Sequence, residues 1–333
     1  MIDLKKRIKG GLYGQALGDS YAMPAWLSPQ ATWDYYGGYI TKFLDGPAEH
    51  PVHFTLKAGQ VTDDTEQAVF IAREYIKDGK ASAEGAARAL IKWYDYVGGD
   101  NCPFVGPSSR RAIIALKRGE DPYKTGATGD TNGAAMRISV VGLMHPGDLE
   151  GAVADAVLTS VPSHYTDIAV SGASAVAGAV AEALKEDATV QSVVEAGIRA
   201  AEMGMKHGNP WMGASSAKRI ALAAEIARKD MPVRERIQEI YDIIGTTLAI
   251  TEAVPAAFGM FVMADGDPME TARLAAALSG DADTVGAMAC AISGAFKGID
   301  AFPKEVIETL ERVNAWANFP ELAEQLYEVA TRK

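Results

Sequence analysis

Four aspartates in two short runs are the residues best suited to chemistry in this sequence. The first run is Thr62-Asp63-Asp64-Thr65 and the second is Gly280-Asp281-Ala282-Asp283-Thr284. Each stands where a helical pattern begins, so one reading is an N-cap, a Thr or Asp side chain satisfying free backbone N–H groups at the positive end of the helix dipole. A cap needs one side chain. Neighbouring carboxylates flanked by hydroxyls exceed that need, and they repel each other unless a cation lies between them. All-oxygen donors of this kind suit hard divalent ions such as Mg²⁺, Mn²⁺ or Ca²⁺. Either run alone is a weak signal. Two half-sites of the same chemistry, both at helix starts, can meet around one or two ions.

Other reactive side chains carry less. Ser163-His164 precedes a helix start at Asp167, where an ordinary loop pair and a functional histidine are both open readings. Asn132-Gly133 alone reads as a turn. His50, His53, His145 and His207 form no ligand spacing, and Arg110 and Arg111 read as makers of surface or structural ion pairs. Cys102 and Cys290 belong to no CxxC pair, which argues against a structural zinc site or a disulfide framework; Cys290, in an Ala-rich apolar segment, reads as a small core residue.

The elements that must position these residues are helices. Residues 66–78 place Ala68, Ile71, Ala72, Tyr75 and Ile76 on one face, and residues 83–97 do the same with Ala86, Ala87, Leu90, Ile91 and Tyr94. Residues 167–186 and 284–297 carry small residues nearly all round, which predicts two helices at a tightly packed centre. Further helices are predicted over 4–17, 109–118, 149–159, 190–206, 214–229, 233–249, 252–264, 268–278, 303–314 and 319–331, with Pro or Gly breakers between many of them. Residues 18–60 read as one long irregular, aromatic-rich segment of the kind that often carries function. No linker-like break and no internal repeat appears, so residues 1–333 are expected to form a single all-α domain.

Composition narrows the function classes. The 333 residues are 48% hydrophobic and 23% charged, an ordinary globular balance. A formal net charge of -11 without a dense Lys/Arg run argues against nucleic acid as a partner. No apolar stretch reaches the ~20 residues a membrane span needs. The basic N-terminus is followed by no long apolar stretch, so no signal peptide is expected and the cytoplasm is the simplest location. Oligomeric state is not readable.

Five pieces, in order, resemble the motifs of the ADP-ribosylglycohydrolases, of which dinitrogenase-reductase-activating glycohydrolase is the type member. They are Gly14-Gln15-Ala16-Leu17-Gly18-Asp19, Thr62-Asp63-Asp64-Thr65, Asn132-Gly133-Ala134-Ala135-Met136-Arg137, Ser163-His164 and Gly280-Asp281-Ala282-Asp283-Thr284. The match runs from about Gly10 to Pro303, and the acidic pair with the intervening NGxxMR is specific in combination. The resemblance implies a compact, many-helix orthogonal bundle with a binuclear Mg²⁺ or Mn²⁺ centre. It implies Thr62, Asp63 and Asp64 as ligands of one ion and Asp281, Asp283 and Thr284 as ligands of the second, with Asp283 bridging. It places Asn132, Gly133, Met136 and Arg137 along the substrate's phosphate or distal ribose, and His164 near the same ligand. The implied reaction breaks an N-glycosidic bond to ribose through an oxocarbenium-like state, with Asp63 or Asp283 sharing the proton of the attacking water.

Two departures bear on the substrate. Many relatives follow the first GD with Gly-Ala-Pro-x-Glu, whereas this chain has Ala22-Met23-Pro24-Ala25-Trp26, so Trp26 stands where the Glu is expected. Some relatives carry an Asp just before the Gly of the 106 region, where this chain has Cys102-Pro103-Phe104-Val105-Gly106. Trp26, with Trp33, Tyr35 or Tyr36, is expected either to stack on a planar base or simply to pack over its loop. The expected substrate is therefore an ADP-ribosylated conjugate or a small ribosylated compound such as a nucleoside. The competing expectation is a non-catalytic ADP-ribose or nucleotide binder of the same fold, which the complete set of metal carboxylates argues against.

Overall fold

A computed structural model describes residues 3–332. Among them the chain forms seventeen α-helices and no β-strand, with two isolated bridges, Thr131–Ala249 and Thr166–Asn209. In order the helices are α1 (Leu4–Ala22), α2 (Pro29–Tyr36), α3 (Asp63–Asp78), α4 (Ala83–Tyr96), α5 (Pro107–Lys117), α6 (Pro122–Thr125), α7 (Ser139–Leu143), α8 (Leu149–Ser160), α9 (Asp167–Ala183), α10 (Val190–Gly204), α11 (Ser216–Ala227), α12 (Val233–Ile243), α13 (Ile250–Met263), α14 (Pro268–Leu278), α15 (Ala282–Lys297), α16 (Lys304–Val313) and α17 (Phe319–Thr331). Each helix predicted from periodicity has a counterpart. No helix among the described residues is long and apolar enough to cross a membrane.

The small-residue helices α9 and α15 are buried on nearly every face, as expected of helices with no bulky polar side to show to water. The closest approach is between α15 and α1. Gly10, Gly14 and Gly18 recur every fourth residue of α1 and meet Gly294, Cys290 and Gly286 of α15. A Cβ at Gly14 would stand 2.0 Å from the Cys290 carbonyl oxygen, and one at Gly18 1.9 Å from that of Gly286. Backbone therefore lies on backbone, a distance that no residue with a Cβ permits. This crossing brings the end of α1, with Asp19, beside the start of α15, with Asp281 and Asp283.

Two predicted boundaries are corrected. The segment 18–60 is not wholly irregular: α1 continues to Ala22, and α2 forms within it. Ser28 caps α2 by accepting from the Ala31 N–H, Pro29 occupies the first turn, and Gly37 ends it at φ 67°. Its aromatic run lacks helical periodicity, so only these caps announce it. The helix predicted over 233–249 stops at Ile243, because Gly245 turns at φ 88° and releases residues 246–248 toward the candidate site.

The main core unites α1, α3, α4 and α7–α17. A satellite cluster of Leu90, Trp93, Tyr94 and Ile113 buries Cys102 and Val105 and so fixes the 102–106 segment. Both cysteines are buried and free.

Candidate active site

The first acidic run opens α3, but neither aspartate caps it. Thr62 is the N-cap: its Oγ1 accepts from the Asp64 N–H at 3.4 Å and donates to Asp64 Oδ2 at 3.1 Å. The next free amides go to α1, where the fully buried Asp19 accepts from Thr62 N at 3.0 Å and from Thr65 N at 3.1 Å. A carboxyl from another helix, pushed up to about 7 by burial in spite of these hydrogen bonds, thus occupies the positive end of α3. Asp63 and Asp64 are left for other work. Gln67, one turn on, donates to Asp63 Oδ2 at 3.2 Å.

The second run opens α15 in the same manner. Asp281 holds the N-cap position without a side-chain cap bond. Its Oδ2 instead accepts from Asn132 Nδ2 at 2.5 Å, across the turn Asn132–Ala134. Ser279, buried and not glycine, sits at φ 68°, and Gly280 follows at φ 74° with the Thr246 hydroxyl where a Cβ would be. Such backbone costs about 1–3 kcal/mol and persists only where its surroundings hold it; here it aims Asp281. Asp283 accepts from His53 Nε2 at 2.7 Å.

Asp63, Asp64, Asp281 and Asp283 all line one cavity of about 640 Å³. Among the described residues, no Lys or Arg lines it. Burial, then repulsion from Asp283 and the other carboxylates, pushes Asp63 and Asp64 well above the usual carboxylate range and Asp281 up to about 7. Asp283 goes the other way: burial would raise it, but the attraction and hydrogen bond of His53 outweigh burial and hold it below 3.8. Among the described residues no three His, Cys, Asp or Glu side chains already close on a common point as a metal group. The donor set nevertheless suits a hard cation. It is all oxygen, neither pair is engaged in capping, and Asp64 Oδ1 is buried with no hydrogen-bond partner. Thr284 also lines the cavity, whereas Thr62 is wholly buried and reaches it only through Asp64.

The expected substrate contacts divide. Trp26, Asn132, Gly133 and Met136 line the cavity. Arg137 and His164 do not; both are 0% exposed, behind its wall. Arg137 donates to Gln67 Oε1 and to Ser163 Oγ, each at 2.5 Å, so its charge faces the acidic cluster from the interior instead of a phosphate in the cavity. His164 accepts or donates to Ser163 Oγ at 2.9 Å and Thr131 Oγ1 at 3.0 Å, and its ring fills the space where a Gly133 Cβ would stand. It supports the Asn132-Gly133 turn from below. Trp26 packs with Tyr35 at 5.5 Å and His50 at 5.0 Å, while Trp33 turns away to Tyr39 and the Arg234 guanidinium.

Burial, with the Arg137 and Arg111 charges, holds the His164 imidazole well below its ordinary 6.5. The unfolded chain takes a proton there that the folded protein refuses. The stability tied to neutral His164 is whole above about pH 6.5 and is lost as the pH falls toward the depressed folded value. Denaturant titrations below pH 6.5 are expected to lose up to about 1.4 kcal/mol per pH unit through this group. His164→Gln should flatten that slope whatever it does to absolute stability, and an unchanged slope would sink the assignment.

Sequence reasoning missed three residues here. Asp19 lies in a recognised motif, yet its role as acceptor of the first free amides of α3 depends on the α1–α15 crossing. Gln67 is one helical turn after Asp63, a spacing that could have revealed it. His53 gave no signal, because its partner lies far along the chain.

Comparisons with known proteins identify the family. A family model described as ADP-ribosylglycohydrolase matches residues 1–333. An uncharacterized Escherichia coli K12 protein, YegU, is 33% identical over 311 residues, covering 93% of each chain. The ADP-ribosylarginine hydrolase Tri1 of Pseudomonas putida is 26% identical, over 97% of this chain and 78% of that protein. A solved structure titled ADP-ribosylglycohydrolase-related protein complex superposes with a TM-score of 0.71 at 22% identity, covering 98% of this chain and 99% of that one, and so shares the fold. The chain belongs to the ADP-ribosylglycohydrolase family.

Proposed function

We propose that the chain hydrolyses a ribosyl N-glycosidic bond with the aid of two divalent cations, Mg²⁺ or Mn²⁺. The observation that carries this reading is the meeting of Asp63 and Asp64 with Asp281 and Asp283 on one cavity, with both pairs free of capping. Bound there, the cations would grip the ribose 2- and 3-hydroxyls and lower the pKa of a water. Asp63, steadied by Gln67, and Asp64, with its open Oδ1, hold one side. Asp281, held by Asn132, and Asp283, held by His53, hold the other, with the Thr284 hydroxyl beside them. Asp63 or Asp283 takes a proton from the attacking water as its oxygen bonds to the anomeric carbon. The glycosidic electron pair leaves with the aglycone, which takes up a proton from water while the carboxylate releases the one it holds, so that one water is consumed and no net proton. The positive charge that grows on the ribose in between is stabilised by the surrounding carboxylates.

Two substrate classes fit this reading. Membership of the family and the activity named for the Pseudomonas putida relative support an ADP-ribosyl conjugate. The aromatic wall of Trp26 and His50 supports a small ribosylated compound with a planar aglycone, such as a nucleoside. Stacking of one base on one ring is worth about 1–3 kcal/mol. Trp26→Ala should therefore raise KM for a nucleoside by about tenfold, with kcat little changed; an unaltered KM would remove the stacking role.

The function itself is tested with EDTA-stripped protein, with and without Mg²⁺ or Mn²⁺, on ADP-ribosyl-arginine, ADP-ribosyl-serine, O-acetyl-ADP-ribose and common nucleosides. Metal-dependent release of an N-linked aglycone is the expected result. No turnover of any of them, with ADP-ribose still bound tightly, would replace the reading with a non-catalytic ADP-ribose or nucleotide binder.

A further inference from the structure

The loop 46–56 runs past the start of α15 in a shape its own backbone dictates. Gly46 N–H donates to the Leu56 carbonyl at 3.0 Å, and Leu56 N–H to the His53 carbonyl at 3.0 Å. A Cβ at Gly46 would stand 1.9 Å from that same His53 carbonyl oxygen, so the loop closes this tightly only on glycine. Within it, His50 Nδ1 accepts from the N–H groups of both Val52 (3.1 Å) and His53 (2.9 Å). His50 is thus the clamp of a turn, and the turn presents His53 to the cavity.

The His53 side chain has one hydrogen-bond partner among the described residues. Its Nε2 lies 2.7 Å from Asp283 Oδ2, while its buried Nδ1 has none. An ionised carboxylate can only accept, so Nε2 carries the proton. The ring is held from two sides by packing, at 4.8 Å from His50 and 6.1 Å from Phe104. Nothing else in the surroundings uses the imidazole's polar atoms, so its polar chemistry is directed wholly at Asp283.

We infer that His53 is a positioning residue for Asp283: by donating from Nε2 to Oδ2 it fixes the carboxylate and leaves Oδ1 as the donor atom for a divalent cation. The inference rests on the proposed cation centre. A carboxylate that ligates a metal is oriented by such an outer hydrogen bond, and removing the partner costs 10–100-fold in metal affinity. Without His53, Asp283 would regain rotamer freedom and its neighbours' repulsion would turn it away from them. The other role open to His53 is a strut that fastens the loop to α15 and does nothing for cation binding.

Calorimetric titration of Mn²⁺ alone into the EDTA-stripped full chain separates these roles. His53→Ala should weaken Mn²⁺ binding by about 10–100-fold. His53→Gln, which keeps an N–H donor at similar reach, should recover most of the loss, and His53→Asn, whose amide is too short, should not. Should the alanine variant fail to fold, the Gln–Asn contrast, with folding checked by circular dichroism, carries the same distinction. Equal Mn²⁺ affinity in wild type and variants overturns the inference and leaves the proposed function standing. Equal loss in the Gln and Asn variants, with lowered thermal midpoints, shows a strut and also overturns it. Wild-type protein that binds no Mn²⁺ would instead bring down the cation centre and the inference together.

Discussion

Asp63→Asn is expected to lower kcat by about 10³-fold while making the metal-free protein more stable. The two effects share a cause. Asp63 is 8% exposed, and burial, Asp283 and Asp19 all disfavour its charge. A carboxyl raised in this way stabilises the fold below its ordinary pKa and loses that contribution as the pH rises through the folded value. Above its ordinary pKa the carboxyl is therefore a burden, whether it ionises or holds a proton, and an amide of the same shape relieves it by about 1–2 kcal/mol. Gln67 can still be met by the amide oxygen. Thermal melts in EDTA should show a higher midpoint for the variant at pH 7 and a closing gap toward pH 4. Added Mn²⁺ should reverse the order by stabilising wild type far more than the variant. A variant that melts lower in EDTA at pH 7 would show that the cluster's repulsion is relieved by some other means.

Gly18→Val is expected to cost about 3 kcal/mol or more, near the limit of what the fold survives. The new Cβ would meet the Gly286 carbonyl oxygen at 1.9 Å and the Cys290 Cβ at 2.8 Å, and backbone oxygen cannot step aside as a side-chain tip can. Either α1 moves off α15 or the variant unfolds. If it folds, the displacement should also weaken Mn²⁺ binding, because Asp19 anchors α3 while α15 carries Asp281 and Asp283. Gly106→Ala is the control: its Cβ meets nothing within 4 Å and its φ is -58°, so stability should shift by less than about 1 kcal/mol. Urea titrations of both variants decide the matter, and a mild loss at Gly18 would show that the crossing is not tightly constrained.

The helices were legible because their apolar spacing is regular, and the paired aspartates because two like charges at a helix start exceed what a cap requires. What a linear reading lacked was direction. Thr62, Asp63 and Asp281 are all plausible caps, and only the fold reveals that Thr62 caps while the aspartates face a cavity. Arg137 and His164 sit in motifs matched in order, yet burial separates them from the cavity that Asn132 and Gly133 reach. His53 was unreadable because its meaning comes from Asp283, which a different helix supplies. The Gly10, Gly14 and Gly18 spacing, by contrast, is visible in the sequence, but α1 also reads as an ordinary helix, and only its partner α15 gives the spacing a meaning.

The α1–α15 crossing also sets an order of events during synthesis. The ribosome releases α1 well before α15, so the first helix waits for all the helices between them before its glycine face is covered. Contacts so distant in sequence form late, since a long loop must close before they reward it. Until then Asp63 and Asp64 have no second acidic pair to share a cation with. On the proposed function, the nascent protein would pass through most of its assembly without a cation centre, and catalytic competence would arrive with the closing of the core.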